Sequence, residues 1–348
     1  MRALTVVPMT RGSLAVTDVP DPVPGDGELL VEGIALGVCG TDREIAAGGY
    51  GWAPPGADRL VLGHESLGRV RSAPDGAGQR PGDLVVGIVR RPDPEPCPAC
   101  ARGEFDMCRN GRYTERGIKK IHGFGSQLWT VEADYAVRLD PGLADVGMLL
   151  EPATIVAKAW EHIERIGNRA WFGPRRVLVT GAGPIGLLAA LLGAQRGLEI
   201  HVLDRVETGV KPRLVRDLGA VYHTEGVAEV ASKAPPDIVI EATGVDRLVL
   251  EAMEHNAAAG IVCLTGVSTA GRTIGVDAGA VNREIVLQND VIFGSVNANH
   301  RHYELAAAAL ATADRSWLRR LVTRRLPLER AAEAFEPGDD DVKVVIEL

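Results

Sequence analysis

The sequence predicts an α/β protein in two parts, a β-rich region and a doubly wound parallel sheet. Three observations carry this. The first 150 or so residues break into short strand candidates separated by Gly and Pro. From about residue 158 apolar strand runs alternate with helical stretches, the pattern of successive βαβ units. A chain of 348 residues also suits two cores better than one, at roughly 150 residues per domain.

In chain order the early strand candidates are RALTVV, ELLVEGIALGV, ESLGRVRSA, DLVVGIVRR and DYAVRL. The later ones are RRVLVTGAG, EIHVLD, DIVIEATG, GIVCLTGV and DVIFGSVN, short β-branched runs bounded by turn residues. Between them lie helix candidates PIGLLAALLGAQRG and RLVLEAMEHNAAAG, each stopped by Gly. A last helix candidate, YELAAAALATAD, precedes the strand-like terminus VKVVIEL.

Composition narrows the partners. Apolar residues make up 46% and charged ones 24%, enough material for a core and unlike a disordered chain. A net charge of -8 argues against binding a phosphate backbone, so no nucleic-acid partner is expected. The N-terminus lacks a secretory pattern and apolar runs break well short of about 18 residues, so the expectation is a cytoplasmic protein with no membrane contact.

The motif VLVTGAGPIG sets Gly181, Gly183 and Gly186 as G-x-G-x-x-G between a buried strand and a helix. Gly181 permits the tight turn, Gly183 lets the backbone approach a pyrophosphate, and Gly186 lets helix and strand pack closely. The helix start offers free N–H groups and a positive dipole end to phosphates. Asp204 ends the next strand, where a carboxylate can accept from both ribose hydroxyls; this favours NAD. Its neighbour Arg205 leaves NADP open, because a guanidinium can hold a 2′-phosphate.

GVCGTDREI, VLGHESLG and LLEPATIV supply Cys39, the pair His64 and Glu65, and Glu151: thiolate, imidazole and carboxylates, the ligand types of catalytic zinc. Singly each has a plainer reading, with Cys39 a buried small residue, His64 a hydrogen-bonded core residue and Glu151 a helix-start charge ahead of Pro152. Their presence beside a dinucleotide fingerprint is what favours chemistry. CPACARGEFDMC holds three of the chain's five cysteines, Cys97, Cys100 and Cys108, a spacing that suits a metal better than disulfides in a reducing compartment. Cys263, in GIVCLTGV, reads as a core residue.

GVCGTD, LGHESLGRV, the cysteine lobe, LLEPA, TGAGPIGLLAA and EATG, in this order, resemble the zinc-dependent medium-chain dehydrogenase/reductase family across nearly the whole chain. More narrowly, DREIAAGGYGWAPPGADRLVLGHESLG, GRYTERGIKKIHGF and GSVNANHRHYE resemble its glucose 1-dehydrogenase branch, which oxidises aldoses at C1. The resemblance implies a GroES-like catalytic domain over 1–157, completed by 303–348, and a Rossmann NAD(P)-binding domain over 158–302, with the substrate in the cleft. It implies Cys39 and His64 as ligands of a catalytic zinc, Glu65 and Glu151 as carboxylates that complete or exchange in its shell, and Thr41 as a proton-relay hydroxyl. A turn-stabilising role is the plainer alternative for Thr41.

For the cofactor the same resemblance implies Gly181, Gly183, Pro184, Ile185, Gly186, Asp204, Arg205, Thr243 and Asn297; for the sugar, Glu115, Glu151 and Asn297. It further implies a homodimer or homotetramer acting on a small sugar or polyol. The same chemistry on an amino sugar or cyclitol is the nearest alternative, and a non-catalytic cofactor-binding relative a remote one. Two departures bear on the sugar: Val89 precedes Arg90 and Arg91 where some relatives have Asn, and PATIV after Glu151 lacks a polar residue some carry. In the lobe, relatives have four cysteines where this chain has three, and Pro94 stands at the place of the first. Asp93 or Glu95 could complete a structural zinc shell, or the lobe is metal-free.

Overall fold

The computed structural model describes residues 1–348 except 270, 272, 337 and 339. The chain divides into two compact units, Met1–Thr154 with Asn297–Leu348, and Ile155–Val296. Among the described residues no helix is long and apolar enough to cross a membrane.

The first unit is built on a sheet centred on the strand Glu28–Val38, antiparallel except where Val322–Pro327 runs parallel to Lys343–Glu347. Its first part alternates half-buried and buried residues, as a strand with one face on the core requires, and from Ala35 to Val38 every residue is buried. Glu65–Ser72 pairs along one edge of it and the C-terminal strand Lys343–Glu347 along the other, both antiparallel. The chain's end is therefore woven into the core of its beginning, where Leu29, Val31, Leu36, Leu62, Phe124, Val345 and Ile346 are essentially inaccessible.

The second unit is a six-stranded parallel sheet in the spatial order Val221–His223, Glu199–Leu203, Arg176–Thr180, Ile238–Glu241, Ile261–Leu264, Val291–Gly294. This is the 3-2-1-4-5-6 order of a dinucleotide-binding fold. Its central strands are buried end to end, which is why they read as unbroken apolar runs. The helix Pro184–Gln195 is buried from Gly186 to Gly193, so it too is apolar on all sides.

Two elements depart from the sequence reading. The helix candidate RLVLEAMEHNAAAG stops at Glu254, because the amides of Ala257 and Ala259 bond Pro236 and Gln288 instead of continuing the helical ladder. A helix not read from the sequence, Ala278–Gln288, is capped by Asp277, whose side chain accepts from the Ala280 amide, and ends on Asn289 at φ 59°. It has no buried residue, so no apolar period announces it.

Candidate active site

Cys39 follows the strand Glu28–Val38 and caps the helix Gly40–Ala46. Its amide donates to Asp42 Oδ2 at 3.0 Å, a reciprocal turn that fixes the thiol. Glu65 begins the neighbouring antiparallel strand opposite Gly37, and His64 directly precedes it, so the pairing brings both to the thiol. Cys39 Sγ lies 3.1 Å from His64 Nε2, and with a Glu65 carboxylate oxygen the three donor atoms sit within 4.8 Å of one another. Gly37 makes room: a Cβ there would lie 2.0 Å from Glu65 Oε2.

Two residues absent from the sequence reading complete this cluster. Asp42 Oδ1 stands 3.2 Å from His64 Nδ1, the carboxylate–imidazole arrangement that orients a metal-binding histidine. Lys343, buried in the C-terminal strand, sets Nζ 2.7 Å from both oxygens of Glu65. Asp42 had a local signal, three residues beyond the cysteine it braces, whereas Lys343 had none.

The electrostatics follow from burial and crowding. Burial raises the Cys39 thiol, partly offset by His64. Burial pulls His64 down, but Asp42 and then Cys39 outweigh it and hold it well above the ordinary imidazole value. Burial pushes Asp42 up, and His64 more than reverses this. A soft thiolate, an imidazole and a carboxylate converge in one largely buried cluster with Cys39 only half-buried, a donor set that fits zinc with an accessible side. Glu151, at the start of the helix Leu150–Gly167, lies outside that 4.8 Å group. It is nonetheless coupled to it: burial first, then Glu65 and Asp42, raise its carboxyl, while His64 and Lys343 pull it down. Thr41 is half-buried in the first turn after Cys39.

Glu115 is buried in the short strand Thr114–Arg116, paired with Arg90–Arg91. Its Oε1 accepts from Arg90 Nε and Nη2 at 3.1 and 2.9 Å, and the guanidinium lies 3.6 Å from the Tyr113 ring centroid. Val89 is buried, its amide donating to the Tyr303 hydroxyl. Asn297 is half-buried at φ 62°, a left-handed conformation that Asn tolerates.

In the cysteine lobe the sulfurs of Cys97, Cys100 and Cys108 come within 4.8 Å of one another. Cys97 Sγ accepts from the amides of Arg109 and Cys100, which draw its thiol downward, and burial raises Cys100. Among the described residues no fourth donor joins this group, and neither Asp93 nor Glu95 lies in it. Asp93 is buried but turned to other partners, with Oδ1 on the Glu95 amide and Oδ2 on Arg112 Nε. Glu95 is largely exposed and pairs with Arg112 Nη2. Three converging thiols are a donor set of the kind a thiophilic metal accepts.

In the second unit Gly181 has φ +95°, and a Cβ on Gly186 would meet Gly181 O at 1.8 Å, so both glycines are required by the turn itself. Gly183 opens onto empty space, the approach a pyrophosphate needs, and Pro184 and Ile185 start the helix. Asp204 Oδ2 accepts from the Ala182 amide at 2.7 Å and Oδ1 from Val206, which ties the end of the second strand to the glycine turn. Arg205 is exposed beside it. Thr243 is held by Glu241, a fully buried carboxylate missed in the sequence, which also takes the Gly244 amide and the Thr180 hydroxyl. These residues fit a dinucleotide.

Known proteins place this geometry. The family model for the glucose dehydrogenase C-terminus matches residues 144–348, and that for the alcohol dehydrogenase GroES-like domain matches 25–141. The glucose 1-dehydrogenase of Methanocella arvoryzae is 40% identical, over 100% of this chain and 99% of its own. That of Thermoproteus tenax is also 40% identical, with the same coverage of both chains. The crystal structure of glucose dehydrogenase from Haloferax mediterranei superposes with a TM-score of 0.92 at 35% identity, over 100% of this chain and 99% of that one. A second structure of that enzyme, in complex with NADP, Zn and gluconolactone, gives a TM-score of 0.92 at 34% identity, again over 100% and 99%. The chain belongs to the zinc-dependent medium-chain dehydrogenase/reductase family, in its glucose dehydrogenase branch.

Proposed function

We propose that the protein oxidises the C1 hydroxyl of an aldose, glucose or a close relative, to the lactone, with transfer of hydride to NAD or NADP. The observation that carries this is the convergence of Cys39, His64 and Glu65 in one largely buried donor set. The gluconolactone, NADP and Zn bound by the Haloferax enzyme support the substrate class and cofactors.

Cys39, His64 and a carboxylate of Glu65 or Glu151 would hold a zinc ion, which when bound supplies a Lewis acid that makes a sugar hydroxyl acidic near neutral pH. The oxidised carbon loses its hydride to C4 of the nicotinamide and its hydroxyl proton to the protein, so C–O becomes C=O. Thr41, in the first helical turn after Cys39, would accept and pass on that proton. Asp42 orients His64, and Lys343 holds Glu65. Glu115 and Asn297 hydrogen-bond sugar hydroxyls, and such a site rejects analogues lacking one because its own polar groups are then left unpaired. The glycine turn, with Thr243 and Asp204, binds the dinucleotide; Asp204 favours NAD, and exposed Arg205 admits the 2′-phosphate of NADP.

We further infer a homo-oligomer, supported by the exposed Val286 and Leu287 on the helix Ala278–Gln288, which precedes the sheet-edge strand Val291–Gly294 in sequence. A cytoplasmic location fits five cysteines that are all unpaired.

The test is reduced-cofactor absorbance with a panel of aldoses, polyols and cyclitols, with and without a chelator. Aldoses should turn over, chelation should stop them and zinc should restore them. Preference for a polyol or cyclitol would reassign the substrate, and no turnover of any alcohol with zinc bound would remove the enzymatic reading.

A further inference from the structure

Asp106 lies inside the cysteine lobe, two residues before Cys108, in the short helical turn Phe105–Met107. Its side chain is 1% exposed. Oδ1 accepts from Asn299 Nδ2 at 2.7 Å, and Oδ2 stands 4.0 Å from His302 Nδ1. Its backbone carbonyl accepts from Arg90 Nη1 at 3.0 Å, while the other face of the same guanidinium grips Glu115. Asn299 caps the helix His300–Thr312 and follows Asn297 by two residues.

A buried carboxylate is an expensive way to glue a loop down, since burying charge is unfavourable unless every partner is in place. Adhesion is already provided next door, where the Phe105 ring packs 6.0 Å from Tyr135 and 5.4 Å from His300. What Asp106 adds is direction. One arm runs from its backbone through Arg90 to Glu115, the other from its side chain through Asn299 to the turn that carries Asn297 in its left-handed conformation. Both arms end on the residues assigned to the sugar.

We propose that Asp106 is a positioning residue for sugar binding, which couples the geometry of the three-cysteine lobe to Glu115 and Asn297. This rests on the reading of those two residues as sugar contacts. The Asp106 side chain is 1% exposed and sealed among protein atoms, so its removal changes sugar affinity through Glu115 and Asn297 and reaches the dinucleotide only through Asn297.

The experiment compares Asp106→Ala and Asp106→Asn in the zinc-loaded enzyme, with D-glucose as probe. Asp106→Ala should raise the KM for glucose, and its calorimetric Kd, roughly tenfold, the loss of a charge-assisted hydrogen bond. The kcat should hold within about threefold, and the Kd for NADP should move no more than it does in Asn297→Ala. Asp106→Asn keeps an oxygen for Asn299 and should recover most of the affinity. Should Asp106→Ala fold poorly, Asn299→Ser removes the same bond from the other side and keeps a good helix cap, with the same signature expected. Glu115→Gln and Asn297→Ala serve as references. If they weaken glucose binding while Asp106→Ala and Asn299→Ser do not, the coupling is wrong and the sugar reading stands. If Glu115→Gln and Asn297→Ala leave glucose binding unchanged, the sugar reading falls and takes the coupling with it. A double-mutant cycle between Asp106→Ala and Asn297→Ala that adds without interaction also overturns it.

Discussion

The first unit carries two metal-type clusters built on opposite plans. Cys97, Cys100 and Cys108 come from one stretch of twelve residues and share one donor type, and Cys97 accepts from two backbone amides of the same loop. Cys39, His64 and Glu65 come from two strands, mix sulfur, nitrogen and oxygen, and are braced by Asp42 and, from the far end of the chain, Lys343. A local thiolate clasp can form almost as soon as its loop does and serves to hold shape. A mixed set assembled by the sheet exists only in the folded protein, keeps one accessible side at half-buried Cys39, and suits a metal that exchanges a ligand for substrate.

The largest effect should come from the mixed cluster. Cys39→Ser is expected to cost about 4 kcal/mol or more of transition-state stabilisation, roughly a thousandfold in kcat, while NADP still binds. Steady-state kinetics with metal analysis checks this; substantial turnover with one metal fewer would dismiss the cluster as the reaction centre. Next comes Lys343→Met, which leaves the Glu65 carboxylate buried without its cation and should destabilise the fold by about 3–5 kcal/mol in denaturant titration. Adding Glu65→Gln should restore part of the loss, and purely additive effects would mean that the pair is not a unit. A smaller effect belongs to the clasp. Cys100→Ser should lower Tm by an amount equivalent to about 1–3 kcal/mol, with kcat within a few-fold of wild type. A collapse of kcat there would erase the distinction between the clusters.

The difference between the clusters also separates what was legible in the sequence from what was not. The thiol clasp and the glycine turn were visible because local geometry dictates their spacing, and the parallel strands because burial on both faces makes them continuous apolar runs. Cys39 and His64 were legible as residue types beside a resemblance. Lys343 was not, since its role depends on a strand pairing across more than 270 positions, as the Lys343–Glu65 separation of 278 shows. Asp93 shows the same limit: its proximity in sequence to the cysteines suggested a ligand, and what the sequence did not show is that Arg112, 19 residues away, bonds its carboxylate. Asp106 and Arg90 read as ordinary charges until the fold set them against Asn299 and Glu115.

The smallest expected effect tests whether the two regions are anchored by different kinds of ion pair. On the lobe side Arg91 stacks over Tyr135, which contacts Phe105, and its guanidinium grips Glu132 with Nη2 at 2.7 Å. Glu132 is 41% exposed, whereas Lys343 and Glu65 are each 2% exposed. Burial pushes the Glu132 carboxyl up, but the Arg91 hydrogen bonds and charge, then Arg116, hold it down at about 2, against an ordinary value of 4.5. A depressed carboxylate contributes stability above its ordinary value and loses that contribution as pH falls through its folded value. Glu132→Gln should therefore lower Tm slightly at neutral pH, and the gap to wild type should close between about pH 4.5 and 2. It should also shrink at about 1 M salt, where the screening length is roughly 3 Å and partly exposed pairs are weakened most. The Lys343→Met deficit, arising from a pair sealed off from solvent, should persist at that salt. Equal salt sensitivity in the two variants would mean that burial does not distinguish the anchors.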